Sequence, residues 1–291
     1  MEGEVKIVIV GGVAGGASAA ARARRLSETA EIFLFERGQY VSFANCGLPY
    51  YVGDEIKVRD KLIVTTPERL QERFKINVQT GCNVVAIDRD QKQVVVQRAG
   101  SNETFIQSYD KLVLSPGASP FLPPIPGINS PNVVTLRTLD DVDRIRARVD
   151  SGIDHVVVVG AGFIGLEMVE NLVHRNIKVT LVELADQVLP VMDREMTMPI
   201  LAELKSKGVD VQLNTTVSEI QNNQGRLIAH LSTGSTTDCG LILFGIGVRP
   251  ENKLACDSGL ATGPRGGIVT NSSMQTSDPD IYAVGDAVET E

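Results

Sequence analysis

The chain has no tryptophan, three histidines and four cysteines in 291 residues. Its cysteines, at 46, 82, 239 and 256, are too widely spaced for a disulfide framework or a Cys-x-x-Cys metal pair. No metal is expected, and a reducing, cytoplasmic setting fits this cysteine usage. No apolar run approaches the roughly 18 residues of a membrane-spanning helix, so no membrane role is expected. There is no basic excess: the net charge is -8, which argues against nucleic acid as the main partner. The opening Met1-Glu2-Gly3-Glu4 is acidic, unlike the basic n-region of a secretory signal.

What is present is a pattern written twice. The first copy is an apolar run, Val5 to Val10, followed by Gly11-Gly12-Val13-Ala14-Gly15-Gly16. An Ala/Arg-rich helix follows over Ala17 to Leu26, and a second strand, Ile32 to Phe35, ends at Glu36 and Arg37. The second copy is His155 to Val159, then Gly160-Ala161-Gly162-Phe163-Ile164-Gly165, a helix to about His174, and a strand, Val179 to Val182, ending at Glu183. Continuous Val/Ile runs read as strands buried on both faces, hence parallel sheets and an α/β fold. Each copy is a βαβ unit of dinucleotide-binding type. Its glycines admit a pyrophosphate to the backbone, its helix N-terminus offers unpaired N–H groups, and its terminal carboxylate meets a ribose hydroxyl. The first copy lacks the middle glycine, which is Val13.

Between the copies, Lys92 to Gln97 and Thr104 to Gln107 read as a hairpin across Ala99-Gly100-Ser101-Asn102. The Pro-rich passage Pro120 to Pro126 cannot be regular helix or sheet, and forms the exit from a first domain. Helical periodicity follows over Leu139 to Val149 and again over about Glu195 to Lys207. Strands are expected near 209–213, 226–231 and 240–244, before a second Gly/Pro crossing at Gly245 to Pro250.

Four marks in order resemble the two-dinucleotide flavoproteins, the pyridine nucleotide–disulfide oxidoreductase family. They are the first Gly loop, Leu114-Ser115-Pro116-Gly117-Ala118, the second Gly loop, and Tyr282-Ala283-Val284-Gly285-Asp286. The resemblance implies two Rossmann-like domains. An FAD-binding domain, 1–118 and 247–291, would be interrupted by an NAD(H)-binding domain, 119–246. For FAD it implicates Gly11, Val13, Ala14, Gly15, Gly16, Glu36, Arg37, Ser115, Pro116, Gly117 and Asp286. For NAD it implicates Gly160, Gly162, Phe163, Ile164, Gly165, Glu167, Glu183 and Gly247. Phe163 sits where relatives use an aromatic to cover the flavin, and Glu167 resembles their nicotinamide-side carboxylate. A carboxylate at Glu183 with Leu184 rather than Arg after it favours NADH over NADPH.

Within the family, Ser42-Phe43-Ala44-Asn45-Cys46-Gly47-Leu48-Pro49-Tyr50 resembles coenzyme A–disulfide reductases and their rhodanese-fused relatives, which reduce CoA persulfides and polysulfides. Dithiol members carry a second cysteine five positions on; here that residue is Tyr51. Cys46 is therefore expected to work as a single thiol, its thiolate attacking a CoA-linked disulfide or persulfide. The residues do not separate these two acceptors. NADH oxidases and peroxidases cycle the same cysteine through a sulfenic acid, with a histidine in the first Gly loop; Ala14 stands there in this chain. A nucleotide-binding redox sensor without turnover is the alternative of another class. Cys82, Cys239 and Cys256, in ordinary contexts, read as structural.

The resemblance places CoA contacts at Arg22, Arg25, Ser42 and Asn45. Arg22 replaces a glutamine of some relatives, and a further cationic contact would fall near Phe74, between Arg73 and Lys75. The family has a C-terminal dimerisation domain beyond Asp286, whose partner copy completes the active site. A homodimer is therefore expected of the full-length protein, and little turnover of residues 1–291 alone.

Overall fold

The structure, a computed structural model, describes residues 4–290. In chain order the first part holds β1 (Lys6–Val10), α1 (Gly15–Leu26), β2 (Glu31–Glu36), α2 (Leu48–Val52), α3 (Pro67–Phe74) and β3 (Ile76–Thr80). There follow β4 (Cys82–Asp88), β5 (Gln93–Arg98), β6 (Thr104–Ser108), β7 (Lys111–Leu114), β8 (Ala118–Pro120) and β9 (Val133–Val134). The second part holds α4 (Leu139–Asp150), β10 (His155–Val159), α5 (Phe163–His174), β11 (Lys178–Val182), α6 (Arg194–Ser206) and β12 (Asp210–Gln212). After these come β13 (Val217–Asn223), β14 (Arg226–Leu231), β15 (Thr236–Cys239), β16 (Leu241–Phe244), β17 (Val248–Pro250), α7 (Lys253–Asp257), β18 (Ile268–Thr270), β19 (Ile281–Ala283) and β20 (Val288–Thr290).

The chain divides into two compact units. The first contains a five-stranded parallel sheet in the order β19-β7-β1-β2-β3. The second contains one in the order β12-β11-β10-β16-β9, also parallel. Both are built alike. A strand, a helix and a strand are followed by a helix and a third strand, then by a three-stranded antiparallel meander (β4-β5-β6 or β13-β14-β15), and then by a strand that returns beside the first. The order therefore reverses at β1/β7 and at β10/β16. Ligands of open α/β sheets bind in that crevice, at the carboxyl ends of the strands.

The apolar runs are buried as expected of strands covered on both faces. All five residues of β10 are buried, and Val8 and Ile9 of β1 are fully enclosed. The expected hairpin is present as β5 and β6, and β4 adds a third strand beside β5 that the sequence reading did not place. Two helices begin at threonine caps: Thr66 accepts the Arg69 N–H on α3, and Thr138 forms a full capping box with Asp141 on α4.

The units differ from the expected partition in one long segment, and by one or two residues at the boundaries near 119 and 248. The first unit runs to Phe43 and includes Ile63–Ser119 and the chain from Arg249, while Ala44–Leu62 joins Pro120–Val248 in the second. The expected partition had Ala44–Leu62, and with it Cys46, in the first domain. The reason is packing: α2 lies against α4 and α5. Among the described residues no helix is long and apolar enough to cross a membrane.

His155 opens β10 and is 8% exposed. Its Nδ1 is 2.9 Å from the Asp238 carbonyl and its Nε2 is 3.0 Å from the Thr180 hydroxyl. A neutral ring satisfies both, with Nδ1–H donating to the carbonyl and Nε2 accepting from the hydroxyl. Burial first, and then the Lys178 ammonium, lower its pKa. The unfolded chain takes up this proton near an ordinary value of about 6.5 and the folded one resists it. The stability this site contributes is thus complete above that value and is lost as the pH falls through the lowered folded value. Urea midpoints of the second unit should drop between pH 8 and 5.5, and His155→Gln should remove part of that drop.

Candidate nucleotide loops and redox cysteine

Backbone contact seats the first loop. Gly11 has φ +92° and its N–H donates to the Phe35 carbonyl at 2.8 Å. A Cβ on Gly16 would lie 1.8 Å from the Gly11 carbonyl oxygen, so only glycine lets α1 come this close to the end of β1. Gly15 faces Ser115, where a Cβ would meet Oγ at 2.7 Å. Ser115, Pro116 and Gly117 follow β7, and the Ser115 N–H donates to the Val10 carbonyl at 2.7 Å. Gly285, beside Asp286, approaches the same hydroxyl: its Cβ would lie 3.7 Å from Ser115 Oγ. Gly11, Gly15, Gly16, Ser115 and Gly285 therefore converge at the carboxyl ends of β1, β7 and β19, with Asp286 exposed next to them. Val13 is half-buried and Ala14, the N-cap of α1, is exposed.

The second loop repeats the geometry. Gly160 has φ +102° and donates to the Val182 carbonyl at 2.8 Å. A Cβ on Gly165 would lie 1.9 Å from the Gly160 carbonyl oxygen. Gly162 caps α5 with open space around it, and Gly247 is equally open, with φ +107°. Phe163 and Ile164 begin α5, 65% and 40% exposed. Glu167 is half-buried on the same helix; burial first, and then Glu170, raise its pKa.

The two strand-terminal carboxylates do something the motif does not announce. Glu36 accepts from the Gly12 N–H at 2.8 Å and from the Gly38 N–H at 2.7 Å. Glu183 accepts from the Ala161 N–H at 2.6 Å and from the Ala185 N–H at 2.8 Å. Each uses one oxygen to tie its Gly loop and the other to tie the turn after its own strand. Each oxygen keeps a lone pair for an outside donor. Arg37 is half-exposed and pairs with Glu251 at 3.6 Å.

Neither α1 nor α5 has a side-chain cap or an acidic residue in its first turn. Four N–H groups at a helix start have no internal partner. Left uncapped beside glycines, they are open to an anion, and a dinucleotide pyrophosphate fits this at both loops. Among the described residues no group of three His, Cys, Asp or Glu could hold a metal.

Cys46 is exposed, in a single 3-10 turn, Asn45–Gly47, that runs into α2. Among the described residues its Sγ has no hydrogen-bond partner. Cys82 and Cys239 are buried, and burial pushes the Cys239 thiol up to about 12. Cys256 is exposed on α7, so its expected structural role is not a core role.

In the first unit a cleft of about 430 Å³ opens between α1 and α3, lined by Ser18, Ser42, Thr65, Arg69, Arg73 and Phe74 among others. Phe74 lies between two guanidiniums, with Arg25 at 5.8 Å and Arg73 at 5.3 Å from its ring centre. Of the expected substrate contacts, Ser42 lines this cleft, Arg25 borders it through Phe74, and Arg22 is exposed on α1. Asn45 is exposed in the turn with Cys46 and does not line it. Arg24 is spent elsewhere. It donates to the carbonyls of Ser27, Glu28, Ala30, Phe74 and Lys75 at 2.6–3.2 Å, which uses all five of its N–H groups. Arg73 flanks the position where a further cationic contact was expected, whereas Arg69 was missed, though its i, i+4 spacing to Arg73 on one helix face was visible.

Residues 5–291 match the family model for pyridine nucleotide-disulphide oxidoreductase. The chain is similar to coenzyme A disulfide reductase of Staphylococcus aureus, at 38% identity over 97% of this chain and 63% of the relative. Among solved structures it is similar to reduced CoADR-RHD of Bacillus anthracis, at TM-score 0.95 and 48% identity, over 99% of this chain and 52% of that one. A NAD-dependent persulfide reductase from A. fulgidus matches at TM-score 0.95 and 37% identity, over 98% and 54%. A water-forming NADH oxidase from Lactobacillus brevis matches at 0.93 and 31%, over 98% and 63%. The chain thus spans between about half and two thirds of these relatives.

Gly16→Ala and Gly165→Ala each drive a methyl into a backbone carbonyl. Each should destabilise its own unit by at least about 1–3 kcal/mol, read by chemical denaturation. Gly162→Ala meets nothing within 4 Å. It should fold normally and lose affinity for dinucleotide, read by equilibrium titration.

Proposed function

The chain belongs to the pyridine nucleotide-disulphide oxidoreductase family, and from that premise we propose that it is the nucleotide-binding part of a reductase of CoA-linked sulfur. In this reading the first loop, with Gly11, Gly15, Gly16, Glu36, Ser115 and Asp286, holds FAD. The second, with Gly160, Gly162, Gly165 and Glu183, holds NADH. The supporting observation is an exposed thiol without a partner cysteine in its motif: Cys46 is followed five residues later by Tyr51, so no internal disulfide can form in the manner of a dithiol relay.

FAD, when bound, supplies the two-electron relay between reduced nicotinamide and sulfur. The chain's own residues supply the rest. The uncapped starts of α1 and α5 neutralise pyrophosphate charge through backbone N–H groups. Glu183 accepts from a ribose hydroxyl and would repel a 2′-phosphate, which favours NADH. The Cys46 thiolate attacks one sulfur of a CoA disulfide, a Cys46–S–S–CoA bond forms, and one CoA thiolate leaves. Two electrons and a proton then return Cys46 to thiolate and release the second CoA as a thiol. With a CoA persulfide the leaving group is hydrosulfide and the rest is unchanged. The cleft between α1 and α3 suits the phosphorylated adenosine end of such a substrate: Arg25, Arg69 and Arg73 supply charge, and Phe74 supplies a ring face.

The likeness to a water-forming NADH oxidase favours a second reading, in which Cys46 is oxidised to a sulfenic acid and reduced again. Ala14, where those enzymes carry a histidine, weighs against it.

Anaerobic NADH should bleach the flavin of the full-length, flavin-loaded protein, and CoA disulfide, CoA persulfide and peroxide can then be offered in turn as reoxidants. Reoxidation by the CoA compounds is the expected result. Rapid reoxidation by peroxide alone would favour the sulfenic acid route, and failure to bleach would favour a sensor. Cys46→Ser should bleach normally and lose reoxidation by sulfur; if it keeps it, the mechanism is wrong. Arg73→Ala should raise KM for CoA disulfide about tenfold or more, the worth of one charge-assisted hydrogen bond, with the NADH KM unchanged.

A further inference from the structure

The helix that follows the redox thiol cannot hold its own shape. α2 has five residues, far below the ~12–15 at which an isolated helix becomes even marginally stable. Its last carbonyls have no partner within the helix. Backbone N–H groups of the following turn serve Pro49, Tyr50 and, at 3.4 Å, Tyr51, and two arginines of the second unit add partners at Tyr51 and Val52. Arg146 of α4 donates to the Tyr51 carbonyl through Nη1, to Asp54 Oδ1 at 2.7 Å through Nη2 and to Asp150 Oδ2 at 3.1 Å through Nε. Its guanidinium also lies 4.7 Å from the centre of the Tyr51 ring. Arg175, at the end of α5, donates to the Val52 carbonyl at 3.0 Å and to Asp150 Oδ1 at 2.7 Å. Asp150 therefore braces both guanidiniums, one on each oxygen.

These are not loose surface pairs, whose worth is small. The Arg146 and Arg175 side chains are 17% and 22% exposed, and each serves a carbonyl and a carboxylate at once. The guanidiniums hold both acids below the usual carboxylate range, Arg146 chiefly for Asp54 and Arg175 chiefly for Asp150. Gly53 closes the arrangement: a Cβ there would lie 1.9 Å from Asn171 Oδ1 on α5, so the backbone of this turn rests directly on that helix. Cys46 itself has no such tie. The arginine anchors nearest it lie at the far end of α2, at the position where dithiol relatives carry their second sulfur, and Arg59, paired with Asp143 of α4 at 2.7 Å, ties the segment farther on.

We propose that Arg146, braced by Asp150 and assisted by Arg175, is a positioning residue for the redox thiol: it caps Tyr51, clamps Asp54 and thereby sets the line along which Cys46 attacks sulfur. The proposal rests on Cys46 being the reacting thiol, and its test is separable from that reading.

The test uses the full-length, flavin-loaded protein with Arg146→Gln, Arg146→Lys and Asp54→Ala. Iodoacetamide labelling of Cys46 is read by mass spectrometry against exposed Cys256, which serves as an internal reference. In Arg146→Gln the Cys46/Cys256 labelling ratio should shift on the order of threefold or more. The kcat for CoA disulfide should fall about ten- to a hundredfold, as for an ångström-scale misplacement. KM for CoA disulfide and the rate of flavin bleaching by NADH should stay as they were. Arg146→Lys should recover part of the loss, and Asp54→Ala should shift the ratio in the same direction. If Arg146→Gln does not fold, the other two variants carry the test. An unchanged labelling ratio and kcat would overturn the proposal, as would a parallel loss of NADH bleaching, which marks general structural support. If Cys46→Ser retains sulfur reduction, the function is wrong, while the labelling ratio still reports whether Arg146 places the thiol.

Discussion

Both nucleotide sites depend on one steric constraint, the contact of a helix backbone with the end of the preceding strand. Gly16 rests on the Gly11 carbonyl and Gly165 on the Gly160 carbonyl, each at a distance that a Cβ would turn into overlap of about two ångströms or less between atom centres. That approach brings the uncapped N–H groups of α1 and α5 to the carboxyl end of their sheets. Without it, neither helix start would face the crevice where the strand order reverses. Glu36 and Glu183 then fix the loops from the other side, each bridging two backbone N–H groups. The glycines permit the approach and the carboxylates hold it.

The same device gives two different surroundings. In the first unit Ser115 and Val284 crowd the loop from the neighbouring strands, so that a Cβ on Gly15 would lie 2.7 Å from Ser115 Oγ and 3.1 Å from Val284. In the second unit Gly162 and Gly247 are open, and Phe163 stands 65% exposed at the helix start. A closed loop suits a group that stays bound, and an open loop suits one that comes and goes. That distinction agrees with the family's resident FAD and exchanging nicotinamide cofactor, and it comes from the residues around the loops rather than from the loops themselves.

Much of this was legible in the sequence because the signals are local. Val/Ile runs before glycines place β1 and β10, and a carboxylate at the end of the next strand places Glu36 and Glu183. The residues that shape the cleft and the thiol were less legible because their partners are remote. Arg22, Arg24 and Arg25 read alike on one helix, yet Arg24 is consumed by five carbonyls, including Phe74 and Lys75 about fifty positions away. Arg146 carried no signal in the sequence, and its partner Tyr51 lies 95 positions earlier. No periodicity or motif encodes such a pairing, and for the same reason the grouping of Ala44–Leu62 with the second unit was not foreseen.

That grouping changes how the single thiol should be understood. Losing the second cysteine removes more than a sulfur. In a dithiol relay the two cysteines constrain each other covalently in the oxidised state, so the attacking sulfur is held for half of every cycle. A lone Cys46 on an exposed 3-10 turn has no such restraint, and its direction must be set by non-covalent contacts. The chain puts a ring at the vacated position, covers it with a guanidinium and caps the adjoining carbonyls from α4 and α5. On the proposed reading, a thiol that pairs with many copies of a free substrate, rather than one fixed neighbour, benefits from an anchor that does not change with its redox state. Arginine provides one, since its charge is constant across the accessible pH range.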